Sequence, residues 1–260
     1  MGFLTDLVTE IRRDLDRHPL DDGALMARAM SLPPVRDLAT ALRAGRRPAV
    51  IAEVKRASPS AGEIADRDAA DQAQAYAAAG AAAISVLTEP RHFHGTLADL
   101  RAARIAVDLP VLRKDFLVHP SQLIEARAAG ADAVLLITSA VRPDELRALL
   151  AAAADLSLGV LLETHSDADL DVALATDTEV IGVNARDLET LQVDPVAAHR
   201  RLGRIPPDRL AVLESGIATR EDVRAAVEAG ASAILVGEAL MRADDPASAL
   251  RALLGEETVR

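Results

Sequence analysis

The chain has 260 residues, half of them hydrophobic, which fits one large domain or two small ones around a sizeable core. The absence of cysteine excludes disulfides, thiolate chemistry and cysteine-based zinc sites. A net charge of −11 disfavours binding to nucleic acid or anionic membranes, and no apolar run approaches the ~18 residues of a membrane span. The first residues lack the basic and apolar parts of a secretory signal, so we expect a cytoplasmic location.

Residues 1–48 predict helices. One amphipathic helix is indicated by apolar residues at helical spacing, namely Leu4, Leu7, Val8, Ile11 and Leu15. A turn at 21–23 precedes a second short helix that ends near Met30. Such an extension could cover either the closed end of the domain that follows or the mouth of its active site, and we favour the mouth.

An internal repeat of about 50 residues organises the rest of the chain. Three segments begin with Ala-Gly-Ala, at 79–87, 129–137 and 229–237, and each predicts a helix end, a glycine and a buried strand. A fourth strand falls in step with them at 180–183. Four more apolar runs lie midway between these strands, at 49–54, 110–113, 159–163 and 210–214.

The eight predicted strands alternate with helical stretches and are apolar throughout, as strands buried on both faces are. Eight such units predict an α/β protein with the (β/α)8 fold, the TIM barrel, preceded by an N-terminal helical extension. An open doubly wound sheet is the alternative, but a repeat that continues to eight strands favours closure. We therefore expect a single domain, with the extension at 1–48 and the barrel at 49–255.

Charged and polar residues collect at the C-terminal ends of these strands, where the active sites of this fold lie. Only two of the 29 basic residues are lysines, Lys55 and Lys114, and both stand at strand ends. Unlike arginine, lysine can donate a proton, so its placement is informative. The strand ends also carry Glu53, Glu163, Asn184, Arg186, Glu214, Ser215, Gly216, Gly237 and Glu238.

Any one of these residues could be the solvated start of a loop, and Lys114 with Glu163 could form a structural ion pair. Their coincidence at the ends of several strands favours a site. Ser215-Gly216 after the seventh strand, and Gly237 before a helix, match the standard phosphate site of such barrels. There, backbone N–H groups at a helix N-terminus face the anion.

The histidines do not predict a metal site. His92 and His94 have the spacing of metal ligands, but their loop offers no third ligand. The other histidines are expected on the surface or as helix caps; they are His18, His119, His165 and His199. Basic patches with interleaved aromatic residues are missing, which argues against nucleic acid as a partner.

Five motifs resemble the indole-3-glycerol-phosphate synthase family. They are I-A-E-V-K-R-A-S-P-S-A-G at 51–62, S-V-L-T-E at 85–89 with Phe93 and Gly95, L-R-K-D-F at 112–116, I-G-V-N-A-R-D-L at 181–188 and E-S-G-I at 214–217. They occur in order from residue 48 to the end, and the first and third together are highly specific. The chain departs from the family pattern at Ala185, Glu238 and Thr138-Ser139. None of these departures removes a charged group that the family's reaction needs.

The resemblance implies a carbon–carbon lyase, a carboxy-lyase of tryptophan biosynthesis. Its reaction closes the ring of 1-(2-carboxyphenylamino)-1-deoxyribulose 5-phosphate and yields indole-3-glycerol phosphate, CO2 and water. No external cofactor is implied, because the aniline nitrogen supplies the electrons. The implied partner is the small phosphorylated substrate. Both a monomer and an association with other tryptophan-pathway enzymes stay open.

The resemblance also implies catalytic roles. Lys114 is the expected general acid for ring closure, and Glu163 is the expected base. Glu53 and Lys55 would position the substrate or take part in the dehydration, so the division of acid and base roles among these four stays open. Asn184 would hydrogen-bond the reacting hydroxyls.

Binding roles follow in the same way. Arg186 would orient the site and hold the substrate carboxylate. The phosphate would lie against Ser58, Ser215, Gly216, Gly237 and the backbone N–H of Glu238. An apolar slot for the benzene ring would be formed by Phe93, Phe116, Leu135, Ile137 and Leu188.

Two other functions remain as alternatives. One is another phosphosugar barrel enzyme, such as phosphoribosylanthranilate isomerase. That reaction needs one acid–base pair, so two lysines with two glutamates would be unexplained. The other is a non-catalytic ligand-binding paralogue, which should have lost a catalytic group, whereas this chain retains all of them.

Overall fold

The computed structural model describes residues 2–59, 62–64 and 67–255, so Ser60 and Ala61 of the first motif lie outside the described residues. A closed barrel of parallel strands is formed by β1 (Ala49–Val54), β2 (Ala83–Leu87), β3 (Val111–Lys114), β4 (Ala133–Ile137), β5 (Gly159–Thr164), β6 (Val180–Asn184), β7 (Leu210–Glu214) and β8 (Ala233–Val236). Each strand pairs with the next along the chain. The ring closes where β8 pairs with β1, with Ala233 opposite Ala49. The predicted (β/α)8 barrel is confirmed, and the open-sheet alternative is wrong.

Helices precede, separate and follow the strands. They are α1 (Phe3–Arg17), α2 (Asp22–Ser31), α3 (Leu38–Ala44), α4 (Ala69–Ala78), α5 (Leu97–Ala106), α6 (Pro120–Ala129), α7 (Pro143–Asp155), α8 (Asp167–Leu174), α9 (Pro195–Leu202), α10 (Arg220–Glu228), α11 (Glu238–Met241) and α12 (Pro246–Leu254). A 3-10 turn spans Thr138–Ala140, and a short antiparallel pair joins Ala57–Ser58 to Gly62–Glu63. Within the described ranges, no helix has both the length and the apolar character needed to cross a membrane.

Both faces of the strands are buried, which explains their unbroken apolar runs. Successive side chains of a strand point to opposite sides of the sheet. In β1, Ile51 belongs to the cluster inside the barrel, together with Leu112 and Leu161. Its neighbour Val50 belongs to the outer cluster, which includes the alanines of the surrounding helices, such as Ala73. Small helix residues let the helices approach the sheet closely.

The repeated glycines end helices. Gly80, Gly130 and Gly230 have φ angles of +92°, +96° and +107°, and they follow α4, α6 and α10. A side chain is disfavoured in this left-handed conformation, whereas glycine adopts it readily. The chain can therefore turn at once from the end of a helix into the next strand.

The N-terminal helices cover both ends of the barrel. Leu38 of α3 packs beside Gly159, the first residue of β5, at the N-terminal ends of the strands. At the opposite end, the backbone N–H of Leu4 in α1 donates to the carbonyl of Leu188 in the loop after β6, at 3.3 Å. The first helix therefore lies at the mouth, as favoured from the sequence, while α3 closes the other end.

Candidate active site

One cavity opens where the barrel strands end, and all the predicted site residues line it. They are Glu53, Lys55, Ser58, Phe93, Lys114, Phe116, Leu135, Ile137, Glu163, Asn184, Arg186, Leu188, Ser215, Gly216, Gly237 and Glu238. The two lysines therefore face one space although they stand on different strands. The C-terminal ends of parallel strands in a closed barrel converge on one mouth, which is why residues so distant in the sequence meet there.

Lys114 lies between two buried carboxylates. Its Nζ is 3.0 Å from Oε2 of Glu163 and 3.3 Å from Oε2 of Glu214. Burial alone would lower the pKa of Lys114, but the charges of Glu163, Glu214 and Glu53 outweigh it and raise the pKa above its ordinary value. The ammonium is therefore charged at neutral pH and holds a proton to donate.

Glu163 and Glu214 are a carboxylate pair with opposite tendencies. Burial would raise the pKa of Glu163, but Lys114 and then His165 overcome it and lower the pKa well below its usual range. Burial and the charge of Glu163 raise the pKa of Glu214 instead. Neither oxygen of Glu214 accepts a hydrogen bond from the described residues. Glu163 is thus the ionised member of the pair, and Glu214 is the member that tends to hold a proton.

The site residues predicted from the sequence did not include Glu214. Its position at the end of β7 was a usable signal, because Glu53 and Glu163, near the ends of β1 and β5, are predicted site residues. Gly182 on β6 makes room for it, since a Cβ there would stand 2.3 Å from Oε1 of Glu214. The glycine of the motif at 181–188 therefore permits the buried carboxylate beside it.

A second ammonium–carboxylate pair stands at the end of β1. Nζ of Lys55 is 2.9 Å from Oε1 of Glu53, as expected for residues two apart in extended chain. Gly237 gives Glu53 its space, because a Cβ at 237 would lie 2.4 Å from Oε1 of Glu53. The cavity thus contains two separate acid–base pairs.

Asn184 and Arg186 link Glu163 to the rim of the cavity. The side-chain amide of Asn184 donates to Oε1 of Glu163 at 3.2 Å, and its Oδ1 accepts the backbone N–H of Arg186 at 3.0 Å. The guanidinium of Arg186 donates to the carbonyl of Leu191 at 3.1 Å and lies 4.0 Å from a carboxylate oxygen of Glu238. Arg186 is thereby held over the cavity as a cation.

Aromatic rings form the apolar wall. The rings of Phe93 and Phe116 are 6.0 Å apart, and Phe3 of α1 approaches Phe116 edge-on at 6.4 Å. The buried carboxylate of Glu89 accepts backbone N–H groups from the three residues 91–93, at 2.7–3.2 Å, and so fixes the loop that carries Phe93. The sequence prediction missed Phe3, because an apolar residue at the start of an amphipathic helix does not indicate a binding site.

The predicted phosphate residues follow β1, β7 and β8, which are neighbouring strands of the barrel. Ser215 and Gly216 have φ angles of +64° and +74°, so the chain turns sharply at the end of β7. A serine in this conformation is strained by about 1–2 kcal/mol, and strain of this kind clusters at functional sites. Gly237 immediately precedes α11, whose first residue is Glu238. The residues at these two strand ends border the same space.

The histidines differ in where they lie in the structure. His119 caps α6 as expected, accepting the backbone N–H of Ser121 at 3.3 Å. The expectation that His165 lies on the surface or caps a helix is wrong, because its ring is buried beside Glu163. Among the described residues, no group of three or more histidine, aspartate or glutamate side chains is arranged to hold a metal ion.

Known proteins resemble the chain along nearly its whole length. A profile of the family described as indole-3-glycerol phosphate synthase matches residues 4–253. A relative from Nocardioides sp., named indole-3-glycerol phosphate synthase, is 48% identical over 261 residues, covering 99% of this chain and 100% of its own. A relative from Streptomyces coelicolor, named indole-3-glycerol phosphate synthase 2, is 44% identical over 257 residues, covering 98% of this chain and 99% of its own.

A solved structure supports the fold alone. Thiamine phosphate pyrophosphorylase from Pyrococcus furiosus superposes with a TM-score of 0.60, covering 84% of this chain and 96% of that one at 16% sequence identity. The relatives named above support neither the isomerase nor the non-catalytic paralogue. The chain therefore belongs to the indole-3-glycerol phosphate synthase family and is a carboxy-lyase of tryptophan biosynthesis.

Proposed function

We propose that Lys114 is the general acid for ring closure. The substrate's ring carbon attacks the ketone carbon, and the ketone oxygen needs a proton as it becomes a hydroxyl. Lys114 is charged, faces the cavity and is held by Glu163 and Glu214. General acid catalysis of this kind contributes about 10²–10⁴ in rate. After closure, CO2 leaves and its bonding electrons return to the ring.

We assign the dehydration to Glu163 and the pair on β1. Glu163 is the ionised carboxylate of its pair with Glu214, so it is suited to remove the proton from the carbon next to nitrogen. The hydroxyl must then leave as water, which needs a second acid. Lys55, paired with Glu53 at 2.9 Å, is the ammonium available for that step. Asn184 donates to Glu163 and is placed to hydrogen-bond the reacting hydroxyls.

The two sides of the cavity orient the substrate between these groups. The benzene ring fits the apolar wall formed by Phe93, Phe116, Leu135, Ile137 and Leu188. The phosphate fits the opposite side, where Ser58, Ser215, Gly216, Gly237 and Glu238 contribute hydroxyl and backbone N–H groups. Arg186 is the cation available for the carboxylate that leaves as CO2.

The observation that carries this assignment is the presence of two ammonium–carboxylate pairs around one cavity, at 3.0 Å and 2.9 Å. A reaction with one protonation for closure and one for dehydration needs two acids.

We also propose a single domain with helices at 1–48 and a barrel at 49–255. It also includes a cytoplasmic location, where amino-acid biosynthesis takes place, and a small phosphorylated substrate as the partner.

The test uses the purified protein with 1-(2-carboxyphenylamino)-1-deoxyribulose 5-phosphate and follows the indole fluorescence of the product. We expect turnover by the unaltered chain. Lys114→Ala and Glu163→Gln should each lower kcat by about 10² or more while substrate still binds. Near-normal turnover by either folded variant would remove that residue from its assigned role.

A further inference from the structure

His165 is a buried ring next to the catalytic carboxylate. It follows directly after β5, and its Nε2 lies 2.9 Å from Oε1 of Glu163. Its side chain is only 8% exposed. The ring does not line the substrate cavity. His165 therefore contacts Glu163 without itself lining the cavity.

Neither nitrogen of this ring has a hydrogen-bond partner among the described residues, and both are buried. Nε2 nevertheless lies 2.9 Å from Oε1 of Glu163, which is hydrogen-bond length. Buried polar groups without partners are unfavourable. An Nε2–H directed at Oε1 would give this ring nitrogen a partner.

Glu163 and Glu214 differ in the donors and charges that surround them. Glu163 faces Lys114 at Oε2, and it receives the amide of Asn184 at Oε1. Glu214 faces the same Lys114 but accepts no hydrogen bond from the described residues. The charged groups near the histidine itself are Asp187 in the loop after β6 and Asp169, whose carboxylate accepts the backbone N–H of His165. An N–H from His165 would therefore add to Glu163 a donor that Glu214 lacks.

We propose that His165 is a positioning residue that acts through Glu163: its Nε2–H donates to Oε1 and places the negative charge of the carboxylate pair on Glu163 and the proton on Glu214. This rests on the assignment of Glu163 as the base. Without the histidine, the two carboxylates become more alike, and Glu163 holds the proton for part of the time. A protonated Glu163 cannot remove a proton from the substrate.

The kinetic test compares two substitutions. His165→Leu removes the donor, so kcat should fall about tenfold or more. The acidic limb of the pH profile of kcat should move to higher pH. KM should stay nearly constant, because His165 does not line the cavity. His165→Gln can still donate an N–H to Oε1, so it should restore most of kcat and the pH profile. Equal losses in the Leu and Gln variants, at matched Tm, would overturn the proposal.

A direct readout does not depend on activity. The protein is labelled with 13C at glutamate side-chain carboxyls, and the signals of Glu163 and Glu214 are assigned with Glu163→Gln and Glu214→Gln. In His165→Leu, the Glu163 signal should titrate at higher pH than in the unaltered protein, and the Glu214 signal at lower pH. Unchanged titrations would overturn the role of His165. Full activity of Glu163→Gln would instead overturn the base assignment and leave the titration result standing.

Discussion

Lys114 and Glu163 stand on β3 and β5, and Nζ of the lysine lies 3.0 Å from Oε2 of the glutamate. β4 separates these strands, so the pair meets across the barrel mouth. The contact joins the proposed acid of ring closure to the proposed base of dehydration. The carboxylates keep the lysine charged, and the lysine keeps Glu163 ionised. Each residue thereby maintains the protonation state that the other's step requires.

Lys114→Arg separates charge from proton donation. Guanidinium keeps the positive charge but does not release its proton at accessible pH. We therefore expect kcat to fall by about 10² or more, nearly as far as in Lys114→Ala. Steady-state kinetics with fluorescence detection, beside circular dichroism to confirm folding, measure this. An active arginine variant would mean that position 114 supplies charge alone.

Glu214→Gln should change how stability depends on pH. The folded pKa of Glu214 is raised, chiefly by burial and then by Glu163, so its stabilising contribution is complete below the unfolded pKa of about 4.3. That contribution is lost as pH rises toward the folded pKa, since a buried charge must then form. Glutamine resembles the protonated acid and does not ionise. The measured quantity is the Tm of the Gln variant minus the Tm of the unaltered protein. This difference should increase from pH 4.5 toward neutrality. A difference that does not change with pH would contradict the raised pKa of Glu214.

Ser215→Glu should weaken substrate binding. It places a carboxylate among the backbone N–H groups proposed to hold the phosphate, and like charges repel. KM should rise about tenfold or more, which corresponds to about 1.4 kcal/mol. Ser215→Gly is the matched control, because glycine tolerates the φ of +64° at this position. An unchanged KM in the glutamate variant would place the phosphate elsewhere.

Gly182→Ala should displace the buried carboxylate of Glu214. The added Cβ would stand 2.3 Å from Oε1 of Glu214 and 3.2 Å from Cδ1 of Leu161. Overpacking of a core costs about 1–3 kcal/mol, so Tm should drop by several degrees and kcat should fall. Gly203→Ala is the control, since the nearest atom to its Cβ would be 3.6 Å away. If both variants match the unaltered protein, Gly182 is not needed for Glu214.

Phe3→Ala tests whether α1 contributes to binding. The Phe3 ring contacts His92 at 5.1 Å and Phe116 at 6.4 Å between centroids. Aromatic pairs contribute about 0.5–1.5 kcal/mol, so KM should rise about 2- to 10-fold with little change in kcat. Val196→Ala, at an exposed position on α9, should leave both constants unchanged. A Phe3 variant with the kinetics of that control would limit α1 to a structural role.

Much of the barrel could be predicted from the chain because its signals are local. The strands at 49–54 and 210–214 were predicted with the observed bounds, and the third was predicted at 110–113 against Val111–Lys114 in the structure. Unbroken apolar runs indicate strands buried on both faces. The convergence of strand ends then follows from closure, which is why the predicted site residues line one cavity.

Contacts across the mouth were not predictable in this way. The burial of His165 and the second carboxylate partner of Lys114, Glu214, depend on which inward side chains of distant strands come close together. A period of two residues tells which side of a strand a residue faces, but not which residue stands opposite across the barrel. The charge states were not predictable either, because burial and the distances between Lys114, Glu163 and Glu214 set their pKa values. The local pattern of the chain specifies the scaffold and the types of reactive group, and three-dimensional packing assigns each group its partner and its proton.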